Sequence, residues 1–193
     1  MYVEFKLPKP SDQLLQLALE TRGNVPIDME VKELVDTVMD GNGAACIYHQ
    51  TPEITELAKQ QYSEYFDEPF EFAVINLKNL DPSRLAYYPP HTDMLRNTTL
   101  NYVIDPGGKD VVTVAYTDST PYDDPAGYMT NYSSKTVERI YKLNEQRWYG
   151  VDVKKYHSVE RIEHDRFMLS LSFIKTTLDE LKAKYPDLIT PIG

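Results

Sequence analysis

Apolar positions in the first third of the chain recur at helical spacing. Leu14, Leu15, Ala18 and Leu19 follow Ser11, whose hydroxyl suits a helix N-cap. Val31, Leu34, Val35, Val38 and Met39 fall at i, i+3, i+4, i+7 and i+8 behind Asp28, and the Gly41-Asn42-Gly43 run ends that stripe. A third stripe runs through Ile54, Leu57, Ala58, Tyr62, Tyr65 and Phe66. Thr51 stands at its cap and Pro52 at its first helical position, where a missing N–H costs nothing. Three one-sided helices need an apolar surface to cover.

After Pro69 the period shortens to two. Segments rich in Val, Ile, Tyr, Phe and Thr predict strands over 70–77, 84–88, 98–105, 111–117, 136–143, 146–154, 156–162 and 166–174. Turn-forming stretches such as "DPGGKD" lie between them. Thr177 and Glu180 have the spacing of a capping box and predict a closing helix. Helices followed by a run of short strands predict a mainly β fold with flanking helices, a β-sandwich or jelly roll covered on one outer face. The expected organisation is one domain, 1–193, with helical support over 1–68, a jelly-roll core over 69–175 and a C-terminal helix over 176–193.

Composition narrows the partners. The chain has 193 residues, 41% of them hydrophobic and 26% charged, as a single domain with its own core requires. A formal net charge of −10 repels polyanions and argues against a nucleic-acid partner. No apolar run approaches the ~20 residues that span a bilayer. The first residues, "MYVEFKLPKP", lack the pattern of a signal peptide, so a cytoplasmic location is expected. The single cysteine, Cys46, leaves no partner for an internal disulfide and too few thiols for a cysteine-based zinc site.

The chemistry gathers around "YYPPHTD" and "HSVERIEHDRFMLSLSF". His91 and Asp93 are two apart, so on an extended strand both point to one face and both reach one metal ion. The bland alternative is a strand-end histidine bonded to a turn aspartate. Pro89-Pro90 favours polyproline II geometry, three residues per turn, which aligns Tyr88 with His91. Downstream, His157 sits in a β-rich segment and Arg166 follows nine residues later. Phe167, Leu169, Leu171 and Phe173 share one face of that last strand, while Arg166, Met168, Ser170 and Ser172 share the other. An arginine on an inward face needs an anion, either a carboxylate of another strand or that of a ligand.

Two histidines and one carboxylate with open positions match the facial arrangement of non-haem Fe(II) oxygenases. In "YYPPHTD", "RNTTLNYVID" and "HSVERIEHDRFMLSLSF" the chain resembles the 2-oxoglutarate/Fe(II)-dependent oxygenases, prolyl-4-hydroxylase-like members above all, over roughly Glu71 to Lys175. The resemblance implies a double-stranded β-helix, Fe(II) on His91, Asp93 and His157, and 2-oxoglutarate held by Arg166. It implies hydroxylation of a peptide side chain, prolyl among them, or of a small molecule, with succinate and CO₂ as co-products and ascorbate as a supporting reductant. Tyr88 matches a tyrosine position lining the cosubstrate or substrate pocket. Two departures stand out. A tyrosine found near Val103 in such proteins is missing, with Asn101 as the replacement polar contact, and Met168 stands where many members have serine.

Weaker candidates complete the set. Arg96 offers either a substrate-carboxylate contact or a surface salt bridge. The polar segment Asp118–Ser134 reads as a lid over the site, with Tyr122 and Tyr128 as substrate contacts. Two rival functions stay open: a non-catalytic jelly-roll binding or assembly protein, and a cupin-type metal isomerase.

Overall fold

In the computed structural model, residues 2–22, 43–93, 95–117 and 136–190 are described. The expected helix behind Asp28 and the segment Asp118–Ser134, with Tyr122 and Tyr128, lie outside them.

Among the described residues the chain is mainly β, with three short helices: α1 (Asp12–Thr21), α2 (Pro52–Tyr62) and α3 (Leu178–Lys184). The sequence signals for their starts hold. Ser11 Oγ accepts from the Leu14 amide, the Thr51 side chain accepts from Ile54, and Thr177 and Glu180 form the reciprocal capping box.

The strands are β1 (Tyr2–Phe5), β2 (Ala44–His49), β3 (Glu71–Asn79), β4 (Ala86–His91), β5 (Thr98–Asp105), β6 (Val112–Tyr116), β7 (Val137–Tyr141), β8 (Trp148–Asp152), β9 (His157–Ile162), β10 (Arg166–Phe173) and β11 (Ile189–Thr190). They form a seven-stranded sheet, β11-β1-β8-β5-β10-β3-β2, and a four-stranded sheet, β4-β9-β6-β7. All strand pairs in both sheets are antiparallel. From β3 to β10 the chain crosses repeatedly between sheets, so β10 returns between β3 and β5 while β9 returns between β4 and β6.

All eight expected strands are present, β5 with the expected ends and the others with altered ones. The first third is not purely helical support, because β1 and β2 join the large sheet. Both are short and lack a sustained alternation. Nor does a helix close the chain: after α3 a 3₁₀ turn, Pro186–Leu188, leads into β11, which pairs with β1. β4 runs through Pro89 and Pro90 to His91, past the expected end at 88. It is an edge strand, where prolines break no interior ladder.

The core has two layers. On the outer face of the large sheet, Leu14, Ala18, Ile54, Ala58, Tyr62 and Leu181 of the helices pack against Phe72, Leu100, Trp148, Phe167, Leu169 and Leu171. Trp148 also donates its indole N–H to the Pro8 carbonyl at 3.0 Å. Between the sheets, Ile75, Val103, Val151 and Met168 of the large sheet meet Ala115 and Tyr141 of the small one, and Leu77 meets Val159 and Ile162. The alternation along β10 therefore serves two cores.

Leu169 is fully buried between β10 and the helices. Leu169→Ala should lower stability by about 2–5 kcal/mol, since little around it can collapse into the space. The measurement is a urea unfolding curve, whose midpoint should fall with its slope unchanged.

Candidate metal centre

His91 and His157 meet because β4 and β9 are neighbours and their register sets these two residues directly opposite each other. The imidazole centroids are 4.2 Å apart. Each ring is turned by the same local device. His91 Nδ1 lies 2.8 Å from the Pro89 carbonyl and His157 Nδ1 lies 2.9 Å from the Lys155 carbonyl. A carbonyl only accepts, so each Nδ1 carries the proton and each Nε2 keeps a free lone pair.

Asp93 arrives differently from the sequence expectation. β4 ends at His91, so Asp93 is not on the strand. Its position is set by its backbone N–H, which donates to the Val153 carbonyl at 2.9 Å. Asp93 Oδ1 then lies 3.8 Å from His91 Nε2. One ligand atom from each of His91, Asp93 and His157 falls within 4.8 Å of the other two, so the three can hold one metal ion.

Electrostatics prepare these groups as ligands. Burial pushes the His91 pKa down to about 3, helped by the neighbouring His157 and opposed by Asp93. Burial also lowers His157. Both rings are therefore neutral at pH 7, the form that binds metals. Burial works to raise the Asp93 carboxyl, but the Arg96 guanidinium and the two histidines outweigh it and hold the pKa below the usual carboxylate value. Burial pushes the Cys46 thiol up to about 12, so it stays protonated beside the centre.

Arg96 is folded inward rather than left on the surface. Its Nε donates to Asp93 Oδ2 at 2.6 Å and its NH1 to Ser172 Oγ at 3.1 Å, while NH2 meets the Tyr48 hydroxyl. Tyr88 packs edge-on against His91, ring centroids 4.6 Å apart, as the polyproline geometry predicts. His164 bonds Asp105 away from the centre, at 3.0 Å.

Two cavities flank the three ligands and share Tyr48, Tyr88, His91, Asp93 and Arg96. The outer one, about 400 Å³, is walled by Tyr48, Tyr88, Leu95 and Ile174, with Gln50 and Glu71 beside them. The inner one, about 60 Å³, runs between the sheets and reaches Arg166. Arg166 is 3% exposed. Its NH1 reaches Thr113 Oγ1 at 3.3 Å, and among the described residues its Nε has no partner and Tyr2 is the only ionisable group acting on it. Of the two sequence alternatives for this arginine, pairing with another strand is thus not met among the described residues. Burial pulls its pKa below the ordinary guanidinium value, with Tyr2 acting the other way. Asn101 lines the same cavity, and its Oδ1 is buried without a partner, as is Thr99 Oγ1. Gly107 braces the start of β10. Its φ is +88° and a Cβ there would stand 2.9 Å from Arg166 Cβ.

Two cavity residues escaped the sequence reading. Tyr2 comes from β1, too short to register as a strand, and faces the cavity near Arg166. Thr113 sits on the inner face of β6, where one polar residue inside "VVTVAY" signalled nothing beyond a strand.

Comparison with known proteins adds little. No family model matches the chain, and no curated protein does. The X-ray structure of E. coli ycfD is similar over 70% of this chain and 34% of that one, at 12% identity and a TM-score of 0.41. This chain spans about a third of that structure's length, and the likeness carries no weight for fold or function.

The depressed His91 pKa sets a pH dependence. Between about 6.5 and about 3 the unfolded chain takes a proton that the folded chain refuses, so stability falls as pH drops through that window. From pH 7 to pH 5 the loss from this group is on the order of 2 kcal/mol. In metal-free protein, His91→Gln should flatten the fall in melting temperature between pH 7 and pH 5. An equally steep fall in the variant would show that His91 is not the group responsible.

Proposed function

We propose that this protein is an Fe(II)- and 2-oxoglutarate-dependent hydroxylase. The carrying observation is Arg166, a buried guanidinium with no carboxylate partner among the described residues, lining the same inner cavity as the His91–Asp93–His157 set. A buried cation of this kind calls for an anion. The donor set fits the metal as well. Two neutral imidazoles and one carboxylate suit a divalent first-row ion and leave coordination positions open. The strand order, with β9 and β10 each returning between earlier strands of its own sheet, supports reading the two sheets as a double-stranded β-helix.

Each residue then has a task. His91, Asp93 and His157 would hold Fe(II), and the two backbone carbonyls behind the histidines keep their Nε2 atoms directed at it. Arg166 would bind the distal carboxylate of 2-oxoglutarate through its planar fork. Asn101, Thr99 and Tyr2 offer further polar contact along the cavity. When bound, iron and 2-oxoglutarate would supply the oxidising chemistry with dioxygen as the oxidant, one oxygen atom going to the substrate and the other to succinate, with loss of CO₂. The chain's part is to orient the reactants and keep water from them.

The outer cavity would take the substrate. Its walls of Tyr48, Tyr88, Leu95 and Ile174 suit a carbon skeleton brought next to the centre, either a peptide side chain, prolyl included, or a small molecule. Tyr88 would orient that group while packing on His91. A metal isomerase needs no cosubstrate to match the charge of Arg166, and a binding protein that held an anion there would release no succinate.

The first test is succinate release from 2-oxoglutarate by purified protein with Fe(II), ascorbate and oxygen, alongside a peptide and metabolite library read by mass spectrometry for the gain of one oxygen. Absence of both overturns the proposal. Arg166→Ala should raise the apparent KM for 2-oxoglutarate by about thirtyfold or more, from a loss of ~2–5 kcal/mol in an enclosed charge pair. Metal binding should stay near the wild-type level, and Arg166→Lys should recover part of the affinity because lysine lacks the planar fork.

A further inference from the structure

Asp93 and Arg96 are three residues apart in "HTDMLRN", in the connection between β4 and β5. The two oxygens of the Asp93 carboxylate have different neighbours. Oδ1 faces the histidines, 3.8 Å from His91 Nε2. Oδ2 accepts from Arg96 Nε at 2.6 Å. A guanidinium N–H at that distance engages one of the two lone pairs of Oδ2, and its positive charge opposes the approach of a cation to that oxygen.

The guanidinium itself has little freedom. NH1 donates to Ser172 Oγ on β10 at 3.1 Å, NH2 bonds the Tyr48 hydroxyl on β2, and the Tyr48 ring lies under the group with its centroid 4.8 Å from Cζ. Asp93 follows a strand of the small sheet, whereas Ser172 and Tyr48 belong to the large sheet. Arg96 therefore fastens one outer oxygen of the centre to the opposite wall of the fold.

We propose that Arg96 is a positioning residue that restricts Asp93 to one ligating oxygen. The consequence is a count of open positions. A six-coordinate ion held by two imidazole nitrogens and one carboxylate oxygen keeps three positions for other ligands, whereas a carboxylate using both oxygens leaves two. Without Arg96, both oxygens of Asp93 are available to a cation next to His91 and His157. This inference rests on the proposed metal centre, and not on the cosubstrate or on turnover.

The experiment uses Mn(II) alone as the probe. Water-proton relaxation of the Mn(II)-loaded protein reports how many exchanging waters the bound ion carries, and titration of free Mn(II) by electron paramagnetic resonance gives the affinity. The wild-type protein should show about three waters, and Arg96→Gln a relaxation effect smaller by about a third, as one position passes to the second Asp93 oxygen. Arg96→Lys, which keeps a charged donor for Oδ2, should return the value most of the way to wild type. A merely structural arginine would not change the water count of an ion that stays bound.

An unchanged relaxation effect in Arg96→Gln with Mn(II) bound overturns the proposal. So does a larger effect, because Asp93 would then need Arg96 to reach the ion at all. Should Arg96→Gln fail to fold, the double variant Tyr48→Phe, Ser172→Ala carries the test, since it cuts two anchors and leaves the guanidinium in place. Its relaxation effect should fall part of the way, and a wild-type value there overturns the proposal. Wild-type protein that binds no Mn(II) removes the metal centre and this inference together. Bound Mn(II) with an unchanged variant removes only the role of Arg96.

Discussion

Strand β10 is buried along all eight of its residues, in the interior of the large sheet between β3 and β5. A central strand covered on both faces usually reads as a continuous apolar run. This one alternates, and the alternation divides the molecule. Phe167, Leu169, Leu171 and Phe173 hold the helices on one side. Arg166, Ser170 and Ser172 face the space between the sheets, where Arg166 reaches the inner cavity and Ser172 holds Arg96. A slip of one residue in this strand would drive an arginine into the helix-facing core and the phenylalanines into the cavity, so its register is tightly fixed. The apolar face thus provides the stability that allows the opposite face to stay polar without solvent.

The small sheet supplies the complementary constraint. β4 and β9 must pair in one register for His91 and His157 to stand opposite, and each histidine is then locked by a carbonyl two residues before it. The prolines at 89 and 90 stiffen that approach without breaking a ladder, because β4 is at the sheet edge. Asp93, lying beyond the strand, is held from two sides, by the turn that follows β8 and by the large sheet. Its amide is bonded to Val153 and its carboxylate to Arg96, which is anchored on Ser172 and Tyr48. The three candidate ligands are brought together by the docking of the sheets, which no single segment could achieve.

This division explains which features were legible in the sequence. Features that depend on local spacing were readable: the caps at Ser11, Thr51 and Thr177, the two faces of β10, and the contact of Tyr88 with His91. The grouping of His91, Asp93 and His157 was readable too, although the reason first given for Asp93, a shared strand face, was not the one the fold uses. What stayed hidden depends on long-range pairing. Tyr2 enters the cavity only because β1 docks beside β8, and the four residues of β1 hold too few alternations to announce a strand. Arg96 read as either a substrate contact or a surface salt bridge because its partners are Asp93, Tyr48 on β2 and Ser172 on β10, and sequence distance conceals the last two.

The charges facing the inner cavity explain how an acidic protein can hold an anion. Among the described residues that line it, the ionisable groups charged at neutral pH are Asp93, Arg96 and Arg166. Burial keeps both histidines neutral, and Asp93 and Arg96 cancel each other at 2.6 Å. One positive charge remains uncompensated, on Arg166, inside a chain whose net charge is −10. Desolvating a cation without a partner costs several kcal/mol, and folded proteins tolerate that cost mainly where a ligand relieves it. Surface acidity weakens the approach of polyanions at long range but is screened within roughly 10 Å in ordinary salt. The field inside a small buried cavity is screened far less. On the proposed function, selection against large anions and retention of a small one coexist, the first set by the surface and the second by a single buried guanidinium.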